Sequence, residues 1–200
     1  MKTRIINLTL LLLSAIVYAS CGSTKPVAET RSTNPFNGEF YSAPDAEIDT
    51  KEYFVGTGFA YGERIQKSSL HQTALTGAQD IVRQKMSHSY KGMISNYMNN
   101  YGNDVGTDIQ TKLERGGIQI IDKVIEDTYE SAPAKYSEVD EKGQIECVVN
   151  IRIYKNELAD KIAKKAAEDL SSDEKLQIDF KEDQFRQKMQ EAFSQYKDGK

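Results

Sequence analysis

Few residues in this 200-residue chain have side chains that could take part in chemistry. Two of them are its histidines. His71 and His88 fall on one predicted helix, where their spacing corresponds to about 25 Å, too far apart to share a metal ion. Ser68 and Ser69 precede His71, but an activated nucleophile needs an oriented base backed by a third group. The sequence therefore predicts surface histidines and no metal site.

A glycine-rich string, Gly56-Thr57-Gly58-Phe59-Ala60-Tyr61-Gly62, has the composition of a phosphate-binding loop. A dinucleotide site would also need a helix that opens at the last glycines and a second, parallel strand with an acidic end. Here Glu63 follows, and the helical pattern starts only near Gln66. We interpret the glycines as positions of close packing at a strand end and expect no cofactor.

The acidic residues and Cys147 also have non-catalytic interpretations. The acids near residues 126–130 and 173–183 are interleaved with lysine and lack the spacing of a calcium loop, so we expect solvated charge. Cys147 lies between Ile145 and Val149 on the apolar side of a predicted strand. A reactive thiol needs exposure and a positive neighbourhood, so a buried, inert cysteine is expected.

The other cysteine, Cys21, ends a three-part leader. Two basic residues are followed by the almost wholly apolar residues 7–17, and Ala19 and Ser20 supply small side chains before the cysteine. This layout is typical of a secretory signal peptide, whose apolar part is too short to span a bilayer. The small residues before Cys21 resemble the lipobox of bacterial lipoproteins, although Tyr18 replaces the usual aliphatic residue.

The lipobox resemblance implies cleavage before Cys21 and acylation of that cysteine, with palmitate as one expected chain. An ordinary signal before a structural cysteine and an uncleaved anchor are the alternatives. Two or three acyl chains, at about 0.8 kcal/mol per buried methylene, would make attachment effectively permanent. Gly22 is not the aspartate that retains lipoproteins in the inner membrane. In a Gram-negative source we therefore expect a lipid-anchored, periplasm-facing protein of the bacterial outer membrane, with surface exposure as the alternative.

Charge and composition divide the rest of the chain. Cleavage would remove two of the 26 basic residues, leaving 24 against 30 acidic ones and a net charge of −6. This balance offers no electrostatic footprint for nucleic acid.

Residues 21–50 would hold the lipidated cysteine and a flexible tether reaching at most about 100 Å. We expect a signal peptide at 1–20, an α+β domain at 51–170 and a C-terminal amphipathic helix at 171–200.

Alternating apolar residues predict the strands that would position these groups. Residues 53–55 begin the first strand, and residues 144–154 form the clearest one. Residues 135–139 predict the first half of a hairpin with that strand. A short helix at 105–113, ended by a glycine pair, would precede a further strand at Ile118–Thr128, where β-branched and aliphatic residues are concentrated.

Apolar residues at three- and four-residue steps predict the helices. The longest continues to Tyr101, with Gly92 as a candidate break, and others cover residues 157–169 and 185–196 around an apolar connector at 176–180. The expected fold class is α+β. An antiparallel three- to four-stranded sheet would pack on the long helix, followed by two C-terminal helices.

The far half of the long helix carries an aromatic and methionine stripe that includes Tyr90, Tyr97, Met98 and Tyr101. Such a stripe at helical spacing indicates core packing. If the helix outruns the sheet, the same residues would instead expose an adaptable apolar surface for a protein partner. Both interpretations stay open, and these four residues are the candidate partner surface.

Three segments carry a family resemblance: Tyr53-Phe54-Val55-Gly56-Thr57-Gly58, Ala74-x-x-x-Ala78-x-x-Ile81-Val82 and Ile151-Arg152-Ile153-Tyr154. The layout from residue 50 to residue 170 resembles the Lpp-twenty family of membrane-associated lipoproteins and, distantly, the N-terminal domain of the flagellar protein FlgT. Ala78-Gln79 departs from the usual Ala-Arg pair. The resemblance implies a lipid-anchored α+β module with no established enzymatic activity.

Two hypotheses about function follow. The first is a non-enzymatic, lipid-anchored lipoprotein of the cell envelope that serves as an interaction or assembly module for envelope proteins. The second is a membrane-tethered binder of a small ligand or peptide. A preformed apolar pocket would favour the second hypothesis. An enzyme ranks last, because nothing in the sequence assembles a base, a nucleophile and an anion site.

Overall fold

The computed structural model describes residues 48–99 and 103–196. Within these ranges the strands are β1 (Tyr53–Glu63), β2 (Lys135–Tyr136) and β3 (Gln144–Tyr154), and the helices are α1 (Lys67–Met98), α2 (Asn103–Glu126), α3 (Lys155–Asp169), α4 (Ser172–Gln177) and α5 (Glu182–Gln195). A 3-10 turn links β1 to α1. No helix in these ranges is long and apolar enough to cross a membrane.

The three strands form one antiparallel sheet in the order β1-β3-β2. The register of the first pair runs from Tyr53 opposite Tyr154 to Glu63 opposite Gln144, so β1 is an edge strand along its whole length. The side chains of β3 alternate, and Cys147 and Val149 point into the core with their odd-numbered neighbours. The predicted α+β class, with an antiparallel sheet on a long helix, is confirmed.

Helix α1 lies directly on β1 because two glycines of the strand face it. A Cβ atom added to Gly58 would lie 1.8 Å from the carbonyl oxygen of Ala74, and one added to Gly56 would lie 2.2 Å from that of Ala78. Backbone therefore meets backbone across this contact, with alanines on the helix side. Gly56 and Gly58 serve close packing, as predicted, but the glycine string lies within β1 rather than at a strand end.

The predicted strand at Ile118–Thr128 is wrong, because residues 118–126 belong to α2. The residues Ile109, Leu113, Ile121 and Ile125 are buried at four-residue steps, a helical period that the density of β-branched residues masked. The glycine pair that was expected to end a short helix lies inside the long one. There the ring of Tyr90 occupies the space beside Gly117, where a Cβ atom would come within 2.2 Å of it.

Smaller differences between the predicted and the observed elements have local causes. Helix α1 runs through Gly92 without a break. Strand β2 stops at Tyr136. The N–H of Ser137 still donates to the carbonyl of Glu146 at 2.9 Å, but the hydroxyl of Ser137, in place of its carbonyl, accepts from the N–H of Glu146 at 2.8 Å. The expected connector at 176–180 begins inside α4, whose start carries a capping box between Ser171 and Glu174.

Helix α5 belongs to the same hydrophobic core as the sheet and α1. Its side chains Phe185, Met189 and Phe193 are fully buried. The ring of Phe193 meets Phe54 of β1 edge to face, with 5.3 Å between centroids. The C-terminal helix, expected as a separate segment at 171–200, therefore completes the core of the described fold.

The two mid-helix glycines of α1 and α2 give opposite expectations for alanine substitution. Gly117→Ala forces a methyl group into the Tyr90 ring and should lower the free energy of unfolding by about 3 kcal/mol. Gly92→Ala meets nothing within 4 Å and should raise it by about 1 kcal/mol through helix propensity. Urea unfolding checks both, and equal effects would contradict the placement of Tyr90.

Candidate functional site

The outer edge of β1 is the candidate site, because it is an exposed sheet edge whose backbone groups are only partly satisfied. In an antiparallel pair, alternate residues direct N–H and C=O groups toward the partner strand and the others direct theirs outward. The hydrogen bonds of Val55 identify the outward set as the odd-numbered residues of β1. Thr57 and Phe59 belong to it.

The start of this edge is capped by the residues that precede the strand. The hydroxyl oxygen of Thr50 accepts from the N–H of Tyr53 at 3.1 Å, and the N–H of Thr50 donates to the carbonyl of Tyr53 at 3.1 Å. Lys155, which is buried, donates from Nζ to the carbonyl of Thr50 at 2.7 Å. The chain therefore enters the fold at a fixed point.

A buried ion pair caps the next outward residue. Oδ1 of Asp49 accepts from the N–H of Val55 at 2.6 Å, and Nζ of Lys85 donates to the carbonyl of Val55 at 2.9 Å. The same ammonium lies 3.1 Å from Oδ2 of Asp49, whose side chain is only 2% exposed. Two side chains thus satisfy the backbone groups that a neighbouring strand would otherwise bond. We name this arrangement the Asp49–Lys85 cap.

Beyond the cap, the edge is open at Thr57 and Phe59. Neither residue's outward N–H or C=O has a hydrogen-bond partner in the described part of the chain. The ring of Phe59 is 45% exposed on one side of this edge. On the other side runs a stripe of α1 that contains Gly77, Ile81 and Lys85, of which Ile81 is 39% exposed. We call Thr57–Phe59 the open edge.

A groove of about 510 Å³ lies between α1 and α5. Met93 and Ala192 lie among its apolar lining residues, and His88, Lys188 and Glu191 contribute polar groups. Gly92 has no atom near the position of its missing Cβ, which widens the groove. Its lining is more polar than that of a typical small-ligand pocket, which is predominantly apolar.

A second groove, of about 400 Å³, separates α2 from α3. Lys123, Lys161 and Lys164 lie beside the apolar Ile120 and Val124. These three lysines are exposed and have no ion-pair partner in the described ranges. Exposed lysines on a helix surface are ordinarily solvated, so the groove is a weaker candidate than the open edge.

The residues that the sequence singled out do not meet in one site. Cys21 and Tyr101 lie outside the residues that the structure describes. Tyr90, Tyr97 and Met98 are buried, so they are core residues and form no exposed partner surface. The reason is that α2 and α5 cover the far half of α1: the Tyr90 hydroxyl donates to the carbonyl of Leu113 at 2.6 Å.

His71, Cys147 and Tyr90 are titratable groups whose neighbours the structure describes. His71 lies 3.0 Å from a carboxylate oxygen of Glu130, and no cluster of three metal-ligating side chains occurs there. Burial raises the pKa of the Cys147 thiol, which is fully enclosed between α1 and the sheet. Burial also raises the pKa of Tyr90 far above its usual range.

The search for relatives adds no function to this geometry. No family model, no curated protein and no solved structure matches the chain.

The Asp49–Lys85 cap was missed by sequence reasoning. Asp49 falls in the stretch that composition assigned to the tether, and Lys85 sits on a helix with many exposed polar residues. No local pattern links two residues so far apart in sequence. The available signal was Gly56 and Gly58, which indicated a strand with a closely packed helix and hence a helix side chain near the strand edge.

Removing the cation of the cap tests its contribution to stability. Lys85→Met leaves the Asp49 carboxylate buried without its counter-charge, so the free energy of unfolding should fall by about 3 kcal/mol. Lys91→Met, the same change at an exposed position of the same helix, should have almost no effect. Urea unfolding measures both, and adding Asp49→Asn to Lys85→Met should recover part of the loss.

The buried thiol gives a second expectation. In a Cys21→Ala variant, Cys147 is the only thiol left. Because the sulfur is enclosed and its pKa is raised, a disulfide reagent at pH 8 should label it only when the protein unfolds. Labelling in native buffer at the rate seen in urea would show that β3 does not bury this residue.

Proposed function

We propose that the protein is a non-enzymatic, lipid-anchored lipoprotein of the cell envelope that serves as an interaction module. Its membrane attachment is assigned to acylated Cys21, and the outer membrane is the assigned location, with the domain facing the periplasm. The resemblance to the Lpp-twenty family supports this assignment and is itself a proposal. Partners are expected to be other envelope proteins.

The observation that carries the proposal is the partly capped edge of β1. The start of the edge is bonded by Thr50 and by the Asp49–Lys85 cap, while the outward backbone groups of Thr57 and Phe59 have no partner among residues 48–99 and 103–196. An open edge next to an exposed aromatic ring is a surface that proteins use for recognition.

The two cysteines allow a matched test of the anchor. Cys21→Ala should abolish incorporation of an alkyne-labelled palmitate and release the protein from the membrane fraction. Cys147→Ala, which removes the other thiol, should keep both the label and the membrane fraction. An unlipidated wild-type protein by intact mass, or equal labelling of the two variants, would contradict the proposal of a lipid anchor.

Crosslinking in intact cells tests the role as an interaction module. Protein partners should be captured by the wild type and lost in Cys21→Ala, because the variant is no longer held beside them. Cys147→Ala is again the control and should keep the partners. Self-crosslinks alone, or the same proteins captured by both variants, would contradict an anchored module.

A second candidate function, the binding of a small ligand, is favoured by the groove between α1 and α5. Its apolar residues and polar rim would suit a molecule with an apolar body and a few polar groups. Gly92→Phe should fill the groove, since nothing lies near the missing Cβ. Loss of a thermal shift by a library compound in this variant would favour this function.

A further inference from the structure

We propose that the open edge at Thr57–Phe59 accepts one extended peptide segment of a partner protein as a fourth strand next to β1. This inference deepens the proposed function, on which its choice of a protein partner rests. Each of the two residues offers one outward N–H and one outward C=O, and these groups have no partner in the described part of the chain. An added strand would satisfy all of them.

The packing of α1 argues against a second copy of this chain as the added strand. Antiparallel pairing of β1 with the β1 of another copy would place both α1 helices on the same side of the joined sheet. Because α1 lies on Gly56 and Gly58 with backbone contact, the two helices would be about one strand spacing apart, about 4.8 Å. Packed helices need about 8–10 Å, so the two copies would collide.

The described residues that precede β1, residues 48–52, do not occupy the open edge. At Val55 the chain contributes the carboxylate of Asp49 to the edge rather than a backbone group. Ile48, the first described residue, is 73% exposed. Among residues 48–52, backbone bonding to the outer edge of β1 is therefore made by Thr50, which bonds Tyr53, and Asp49 bonds Val55 through its side chain.

The surroundings of the edge define the chemistry of the segment. On the α1 side, a side chain of the added strand would meet the stripe of Gly77 and Ile81, where Gly77 leaves room: its missing Cβ would lie 3.7 Å from the Cα of Gly58. On the opposite side, a side chain would lie beside the exposed ring of Phe59. We expect a segment with alternating apolar residues and no proline at the bonding positions.

The direct test is titration of the purified protein with a panel of blocked heptapeptides of alternating Thr/Val, Ser/Leu and Thr/Phe composition. At least one should shift the backbone amide signals of Thr57 and Phe59 and give interstrand contacts to both in nuclear magnetic resonance spectra. The same peptide methylated at every backbone nitrogen should not bind, because it cannot donate hydrogen bonds. Gly56 and Gly58, which bond to β3, serve as internal controls.

Two variants localise the binding. Phe59→Pro should fold, since proline is tolerated on a sheet edge. It removes one outward N–H donor and should therefore weaken binding by about tenfold. Phe59→Lys removes the aromatic contact, and it replaces the proline variant in this test if that variant misfolds. Leu176→Lys, at an exposed apolar position of α4, is the matched control and should bind as the wild type does.

Several outcomes would overturn the inference. No binding by any panel peptide at millimolar concentration would do so, as would binding by the methylated peptide or shifts confined to residues outside β1. Contacts from residues before Ile48 to Thr57 in the free protein would assign the edge to the chain itself. Dimers linked through β1 would assign it to a second copy. The lipidation result for Cys21 is independent of all of these.

Discussion

Helix α1 lies on β1 backbone against backbone, because Gly56 and Gly58 have no side chains and Ala74 and Ala78 have short ones. A helix this close to an edge strand brings its flank alongside the outermost backbone groups of the sheet. Lys85 can therefore reach around the edge to the carbonyl of Val55.

Electrostatics then determines which backbone groups of the β1 edge have hydrogen-bond partners. A carboxylate and an ammonium that are both largely removed from water must bond to each other and to polar groups, since unpaired burial is costly. Asp49 and Lys85 meet this requirement by bonding both backbone groups of Val55. The buried Lys155 fixes Thr50 in the same region. Asp49 and Thr50, which precede β1, are therefore both bonded to the domain.

The sequence predicted elements whose own periodicity matches their burial. Strand β3, with apolar residues at every second position, and helix α3, with buried residues at helical steps, were found close to their observed bounds. Ile118–Thr128 failed because β-branched residues suggested a strand, whereas burial at four-residue steps in α2 follows the helical period. The glycine pair there appeared to end a helix, and only the Tyr90 ring explains why glycine is needed inside one. The cap depends on tertiary contacts, which no local pattern encodes.

The central claim is that, in the described part of the chain, the outer edge of β1 is capped at Val55 and open at Thr57 and Phe59. Amide hydrogen exchange in the free protein tests this most directly, residue by residue along the strand. The account predicts slow exchange for Tyr53 and Val55, whose N–H groups are bonded, and fast exchange for Thr57 and Phe59. Gly56 and Gly58 should be slow because they bond to β3. Slow exchange at Thr57 and Phe59 in the free protein would mean that the edge is already occupied, and it would contradict the account.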